Sequence, residues 1–341
     1  MKNVIISDAT LRDGSHAISH QLTRAHIAAY AKAADAAGVA IVEVGHGNGL
    51  GASSLQVGLS LLSDTEMLET ARENLTHAKL GIHVIPGFAT VRKDLELAFK
   101  LGVDLVRVAS HCTEADITER HISSTREHGK EAYGVLMMSH MASKEVLLDE
   151  GLKMQSYGAE ALIIMDSAGA YLPADVQDRI GHLAAHLNIP VGFHAHNNLG
   201  MGVANSIAAL QAGAQIVDGA ARGFGAGAGN AQLEVLVAVL EKMGYHTGID
   251  LYKLLDAADI VEKEIMETIP SISSTSIVSG LAGVFSGFSK HVNLAAREYG
   301  VDPRDIFFEL GKRKIVGGQE DKIVEVAMEL RDGTLRGAHA K

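Results

Sequence analysis

A pair of histidines and two aspartates have the residue types and spacing of a metal site. His194 and His196 are two positions apart in an apolar run, so in a strand their side chains face the same side. Either Asp8 or Asp13, near the N-terminus, would add a carboxylate, and periodicity alone does not choose between them. Such a set suits Mn²⁺, Mg²⁺, Co²⁺, Fe²⁺ or Zn²⁺. A bare His-x-His pair is also compatible with two hydrogen-bonded histidines that hold no ion.

Two further polar residues flank Asp13. Arg12 precedes it, and a guanidinium beside a metal site would clamp an anionic substrate. His16 follows three positions later and would carry a proton as a general base or acid. Each has an ordinary alternative, Arg12 as a surface charge and His16 as a polar residue at a helix entry. Their proximity to one another in the sequence favours a shared site.

These residues need a scaffold that brings both segments together, and eight short β-branched runs supply one. Helix-like stretches separate the runs, and several of these stretches end in a glycine, as Gly38 does after 23–37. Such alternation predicts a parallel sheet covered on both faces, and eight units in about 245 residues predict a (β/α)8 TIM barrel. A doubly wound open sheet is the alternative. The runs cover residues 3–10, 41–45, 79–86, 104–110, 131–140, 161–167, 190–197 and 215–223.

In a closed barrel the first and seventh strands are only two apart, and catalytic groups lie at the C-terminal ends of strands. The barrel therefore brings residues 8–16 close to His194 and His196. After about residue 250 the pattern changes to helical periodicity without a convincing strand. We predict a catalytic barrel over residues 1–262 and a smaller helical domain over residues 263–341.

Composition excludes several other classes. The chain has 341 residues, of which 47% are hydrophobic and 21% charged, and its formal net charge is −11. An acidic chain offers no broad electrostatic surface for nucleic acid or an anionic membrane, so neither partner is expected. Its single cysteine, Cys112, cannot form an internal disulfide, which favours a reducing compartment. No apolar run is long enough to span a membrane, and we expect a cytoplasmic protein.

Glycine-rich segments and lysines narrow the chemistry further. Residues 47–52 match a loose dinucleotide pattern, which is weak evidence on its own, so no nucleotide cofactor is expected. Residues 223–229 carry a glycine at every second position and would line the site, with Asn230 as a possible neighbour of its ligands. No lysine stands out at a strand end, which favours metal over Schiff-base chemistry.

Several segments resemble the metal-dependent TIM-barrel lyases and condensing enzymes, and within them the 4-hydroxy-2-oxovalerate aldolase family. The resemblance covers nearly the whole chain and rests on residues 11–21 (LRDGSHAISHQ), 43–54 (EVGHGNGLGASS), 194–210 (HAHNNLGMGVANSIAAL), 223–234 (GFGAGAGNAQLE) and 313–327 (RKIVGGQEDKIVEVA). It implies a class II pyruvate aldolase, a carbon–carbon lyase that cleaves 4-hydroxy-2-oxo acids to pyruvate and a short aldehyde, in the catabolism of aromatic compounds or steroids.

The resemblance also implies roles for individual residues. Asp13, His194 and His196 would bind a divalent metal, Mn²⁺ with Co²⁺, Mg²⁺ or Zn²⁺ as alternatives, and Asp8 would not. Arg12 and His16 would be catalytic. The substrate would be bound by Arg12, Ser167 and His194.

Two implications lie outside the barrel. The family usually has a tyrosine that reaches the active site where this chain has Phe285, so one hydroxyl is missing and stereocontrol or aldehyde choice is expected to differ. The family also implies an acylating acetaldehyde dehydrogenase that receives the aldehyde through a channel and docks on the C-terminal domain. The alternatives are a condensing enzyme that uses an acyl-CoA, a ferrous oxygenase and an inactive scaffold subunit.

Overall fold

Eight parallel strands close into a barrel in the computed structural model, which describes residues 2–335 and 337. The strands follow one another in chain order, and the first pairs with the eighth. The predicted TIM barrel is therefore confirmed, and the open doubly wound sheet is excluded. The strands are β1 (Ile5–Leu11), β2 (Ile41–Val44), β3 (Lys79–Val84), β4 (Leu105–His111), β5 (Glu131–Met137), β6 (Ala161–Asp166), β7 (Val191–Ala195) and β8 (Ile216–Gly219).

Helices surround the barrel and place each strand end. The first begins after Thr23, whose side chain accepts a hydrogen bond from the His26 amide, and ends at Gly38 in the left-handed conformation. The helices of the barrel are α1 (Arg24–Ala37), α2 (Asp64–Asn74), α3 (Glu96–Lys100), α4 (Glu119–Glu127), α5 (Lys144–Ser156), α6 (Pro173–His186), α7 (Gly202–Gln211), α8 (Leu233–Lys242) and α9 (Leu251–Ile260).

The barrel interior changes from apolar to charged along the strands. Ile41, Leu105 and Ile216 belong to an apolar cluster inside the barrel, near the start of β2, β4 and β8. Two residues farther along the same strands, on the same face, lie three buried charged residues. They are Glu43, Arg107 and Asp218. This charged layer lies directly beneath the C-terminal ends of the strands.

Four helices form the C-terminal region, and the described residues from 292 to 335 contain no strand, as predicted. They pack around a separate core that includes Phe288 and Phe307. The helices are α10 (Ser274–Ala282), α11 (Ser289–Tyr299), α12 (Pro303–Lys312) and α13 (Asp321–Arg331). The domain boundary at residue 262 stays a prediction. Residues 336 and 338–341 of the predicted domain lie outside the described residues.

The C-terminal region is tied to the barrel mouth by polar contacts. The Ser286 amide donates to the Ser167 carbonyl oxygen at 3.0 Å, and His140 Nε2 donates to the Gly283 carbonyl oxygen at 2.9 Å. Lys290 Nζ donates to the Ala17 carbonyl oxygen at 3.0 Å. The segment around residues 283–290 therefore forms part of the wall above the strand ends.

Two smaller features complete the fold. Lys2–Asn3 pairs with Tyr245–His246 as a two-stranded parallel ribbon outside the barrel, which the sequence analysis did not predict. In the described part of the chain, no helix is both long and apolar enough to cross a membrane.

Candidate metal centre and active-site cavity

Three buried side chains converge at the C-terminal end of the barrel. Asp13 lies in a short 3-10 turn after β1, His194 lies in β7 and His196 directly follows that strand. Among the described residues, their ligand atoms all lie within 4.8 Å of one another. His194 Nε2 is buried and has no hydrogen-bond partner in this part of the chain, and His196 Nε2 lies 4.0 Å from the Asp13 carboxylate. Free imidazole nitrogens beside a carboxylate fit a divalent cation.

Asp218 orients the first of these histidines. His194 Nδ1 donates to the Asp218 carboxylate at 2.9 Å, and both side chains are buried. A proton held on Nδ1 leaves the lone pair on Nε2, the nitrogen without a protein partner. This is the arrangement in which an outer carboxylate fixes the tautomer of a metal-binding histidine.

Asp13 is held ionised by its neighbours. Arg12 Nη1 donates to one carboxylate oxygen at 3.0 Å, and Asn230 Nδ2 donates to the other at 2.5 Å. Burial alone would raise the pKa of Asp13, but the positive charge of Arg12, with a smaller effect of His196, holds it well below its ordinary value. An anionic carboxylate at this point is the form that binds a cation.

Asp8, the other carboxylate considered, belongs to a different network. It accepts hydrogen bonds from the Thr10 amide at 2.9 Å, the Thr10 hydroxyl at 2.5 Å and the Tyr30 hydroxyl at 2.6 Å. Burial raises the pKa of Asp8 to about 6. Its oxygens are already occupied by donors, so the geometry favours Asp13 as the carboxylate of the cluster.

Arg12 points a free donor into the site. Its Nε donates to Glu43 at 3.0 Å, and its Nη1 donates to Asp13 and, at 3.4 Å, to the Gly47 carbonyl oxygen. Nη2 is buried and has no partner among the described residues. A guanidinium held on two sides, with one nitrogen unpaired beside a cavity, is preorganised to receive an oxygen anion.

Buried charges connect Arg12 to the metal cluster. Arg107 donates from Nη1 to Glu43, the carboxylate that also binds Arg12, and from Nη2 to Asp218 at 2.6 Å. A chain of ion pairs therefore runs from Arg12 through Glu43, Arg107 and Asp218 to His194. The sequence analysis missed this chain. The available signal was a single charged residue inside each of three otherwise apolar strands.

His16 lies at the end of the turn after Asp13 and is half-buried. Its ring packs against Gly47, where a Cβ atom would come within 2.4 Å of it, and it meets the ring of His20 edge-on at 5.1 Å. Burial lowers the pKa of His16, and Arg12 adds to this effect while Asp13 opposes it. A neutral imidazole is the form that can accept a proton.

One cavity joins these groups. It has a volume of about 310 Å³ and is lined by Arg12, Asp13, His16 and His196 on one side. Phe285, from the C-terminal region, also lines it, as does the segment of Val316, Gly317 and Gly318. A second cavity of about 540 Å³ borders the first at His16, Asn48, Val57, Phe285 and Glu320. The predicted approach of the C-terminal region to the site is therefore observed.

Comparison with known proteins agrees with this geometry. The HMGL-like family model matches residues 3–261, and the model of the DmpG-like communication domain matches residues 270–332. The 4-hydroxy-2-oxovalerate aldolase of Pectobacterium atrosepticum is 65% identical over 329 residues, which are 96% of each chain. That of Spirochaeta aurantia is 65% identical over 328 residues, again 96% of each chain. This chain belongs to the HMGL-like family and, within it, to the 4-hydroxy-2-oxovalerate aldolases.

A solved structure of low sequence identity has a similar fold. The carboxyl transferase domain of Rhizobium etli pyruvate carboxylase superposes with a TM-score of 0.80 at 18% identity, and the match covers 98% of this chain and 61% of that one. At this identity the likeness concerns the fold alone.

Two predicted site residues, Asn230 and Ser167, differ in how close they lie to the metal cluster and the cavity. Asn230 contacts Asp13 directly, and its Oδ1 is buried without a partner in the described chain. Ser167 is fully buried, accepts a hydrogen bond from the Met138 amide at 3.0 Å and does not line the cavity. The structure therefore brings Asn230 to the cluster and leaves Ser167 behind the cavity wall.

The remaining polar residues divide into lining and structural groups. His83 and His111 line the cavity, whereas His140 binds the C-terminal backbone. Gly225 packs tightly against Asp13, since a Cβ atom there would come within 2.5 Å of its carboxylate. Cys112 is buried, and burial raises the pKa of its thiol to about 12, so it is a poor nucleophile.

Proposed function

We propose that this chain cleaves 4-hydroxy-2-oxopentanoate and related 4-hydroxy-2-oxo acids to pyruvate and a short aldehyde, with a divalent cation held by Asp13, His194 and His196. One observation carries the proposal. In a chain of this family, one cavity is bordered by Asp13, His196, Arg12 and His16, and His194 lies behind them within the same ligand cluster.

A bound cation would supply Lewis acidity at the oxygen of the 2-oxo group. Arg12 would place positive charge beside the same oxygen, where negative charge develops as the C3–C4 bond breaks. His16 would accept the proton of the C4 hydroxyl, and C4 would leave as the aldehyde carbon. The electron pair of the broken bond would move into an enolate, which becomes pyruvate when C3 is protonated.

Binding of the substrate carboxylate is assigned to Ser167, with His194 beside the 2-oxo group. The Ser167 hydroxyl oxygen accepts from the Met138 amide, which leaves its own proton available for donation. Reaching the substrate from behind the cavity wall would require a shift of the segment around Met138. Asn230 would hold Asp13 in place, and Phe285 would close the outer side of the cavity.

Mn²⁺ is the ion we assign, as the resemblance to the metal-dependent aldolases implies, and two imidazoles with one carboxylate are ligands that accept it. Co²⁺, Mg²⁺ and Zn²⁺ are the other ions to compare. The test is pyruvate release from racemic 4-hydroxy-2-oxopentanoate by protein stripped of metal and then given each ion. Pyruvate that forms only with metal supports the proposal. Absence of pyruvate together with thiol release from acetyl-CoA would instead indicate a condensing enzyme.

We also propose that the C-terminal region docks an acylating acetaldehyde dehydrogenase. The match to a communication domain supports this, and helix α10 exposes Leu281, with 65% of its surface accessible. Leu281→Glu should weaken co-purification with such a dehydrogenase. Leu172→Glu, at a residue 52% exposed beside α6, is the matched control and should leave it unchanged. Equal retention of the partner by both variants would contradict docking at α10.

A further inference from the structure

One buried polar group in the cavity has no role in the reaction described above. Among the described residues that line the first cavity, three have a buried side-chain nitrogen without a hydrogen-bond partner. They are Arg12, His196 and His83. The first two belong to the anion and metal sites. His83 Nδ1 is the unexplained one, on a residue that is only 2% exposed.

Strand register places His83 inside the barrel. His83 of β3 pairs with Arg107 of β4, and register partners in a parallel sheet point to the same face. Arg107 points inward, because it contacts Glu43 and Asp218. The His83 ring also packs beside Gly49, where a Cβ atom would lie 3.3 Å from its Cδ2. The ring is therefore held at the inner wall of the cavity.

This wall lies across the barrel from the metal cluster. Asp13 follows β1, and His194 and His196 lie at β7, whereas His83 belongs to β3. If the 2-oxo acid half of the substrate is held at the cluster and Arg12, as the proposed function requires, the half that leaves as the aldehyde extends over β3 to β5. The rest of that wall includes the apolar side chains of Ile85 and Met137.

The chemistry of His83 selects the group that it can bind. Burial and the positive charges of Arg12 and Arg107 lower the pKa of its ring well below the ordinary value, so the ring is neutral. A neutral imidazole offers one N–H donor and one lone pair. A hydroxyl group, which also donates once and accepts, matches that pair. An alkyl group would leave the buried nitrogen unpaired.

We propose that His83 binds a hydroxyl group on C5 of the substrate, so that the site favours 4,5-dihydroxy-2-oxo acids and releases a hydroxyaldehyde together with pyruvate. This selectivity rests on the proposed function and refines its substrate class. The reaction itself is unchanged, since the C3–C4 bond breaks and the C5 hydroxyl stays on the aldehyde.

The test compares 4,5-dihydroxy-2-oxopentanoate with 4-hydroxy-2-oxopentanoate, which differ by one hydroxyl, both racemic at C4. Pyruvate release by the Mn²⁺-loaded full chain gives kcat/KM for each. The unmodified chain should prefer the dihydroxy acid by about tenfold or more, because a site built to bind a hydroxyl disfavours an analogue that lacks it. His83→Leu should abolish that preference, mainly because kcat/KM for the dihydroxy acid falls.

Two further variants make the outcome specific. His83→Asn keeps a donor and an acceptor and should retain part of the preference. Met137→Leu exchanges one apolar lining residue for another and should affect both substrates alike. Thermal unfolding and bound Mn²⁺ are measured for each variant, so that a folding defect in His83→Leu is recognised. If that variant does not fold, the substrate preference of His83→Asn decides.

Two outcomes would overturn the proposal. One is an unmodified chain that prefers the monohydroxy acid or treats both alike. The other is a folded His83→Leu variant in which kcat/KM falls equally for both acids. That result would mean that His83 contacts a part of the substrate that is present in both acids. If neither acid gives pyruvate with any metal, the proposed function fails first, and that result is distinct from a lost preference.

Discussion

The carboxylate of Asp218 offers a direct test of how the barrel prepares its metal site. It accepts hydrogen bonds from His194 Nδ1 at 2.9 Å and from Arg107 at 2.6 Å, and all three side chains are buried. Asp218→Asn keeps the shape and removes the charge. The amide oxygen can still accept both hydrogen bonds, which end on one carboxylate oxygen, but it is uncharged and holds the proton on His194 Nδ1 less firmly, so Nε2 becomes a weaker metal ligand.

Two magnitudes follow from this change. Loss of an outer-shell partner of a ligating histidine weakens metal binding by about 10- to 100-fold, which is about 1.4–2.7 kcal/mol. Removal of one partner from a buried ion pair lowers the free energy of unfolding by about 3–5 kcal/mol, and Arg107 keeps Glu43, so we expect about 3 kcal/mol.

The assay titrates metal-stripped protein with Mn²⁺ and follows free Mn²⁺ by electron paramagnetic resonance, with thermal unfolding recorded alongside. The control is Asp178→Asn, which removes an exposed partner of Lys144 and should change neither quantity by more than about 1 kcal/mol. A folded Asp218→Asn variant that binds Mn²⁺ within twofold of the unmodified chain would refute the role given to this carboxylate.

Three further changes test other parts of the site. Arg12→Ala should lower turnover by about 10²- to 10³-fold with bound metal unchanged, and loss of the metal would contradict its assignment to the reacting oxygen. Gly47→Ala would place a methyl group within 2.4 Å of the His16 ring and should lower kcat about 10²-fold, whereas Gly181→Ala in α6, with its nearest atom 3.9 Å away, should not. Asp8 has a pKa raised from 3.8 to about 6, so its contribution to stability is present below pH 3.8 and is lost as the pH rises through 6. Relative to the unmodified chain, Asp8→Asn should therefore gain about 2.4 kcal/mol in the free energy of unfolding between pH 4 and pH 8, and a difference that is independent of pH would contradict the burial of an ionised Asp8.

The barrel and its metal cluster could be predicted because their signals are local. Each strand is a short β-branched run, and His194 and His196 share a face by their spacing alone. The choice of Asp13 over Asp8 has no such local signal in the sequence. It depends on which carboxylate accepts hydrogen bonds from Thr10 and Tyr30, and this is Asp8. Family resemblance made that choice, and the geometry agrees with it.

The charged layer could not be predicted in the same way. Glu43, Arg107 and Asp218 are separated by 64 and 111 residues, and strand register alone brings them together. The placement of Ser167 had a related difficulty. A residue at a strand end can face the cavity or the wall behind it, and its bond to the Met138 amide is a tertiary contact. The pathway in which the reaction serves stays a prediction.

The same layer has a consequence for the order in which ligands enter. Counted with neutral imidazoles, Asp13, Glu43 and Asp218 outnumber Arg12 and Arg107 by one negative charge. An anionic 2-oxo acid that approached this set alone would meet like charge at close range, where little water screens it. A divalent cation reverses the sign to one positive charge, and the carboxylate of the acid then brings the whole assembly to neutrality. Entry is therefore expected to be sequential, with the cation first and the acid second, and release in the opposite sequence would keep the cation in place between turnovers.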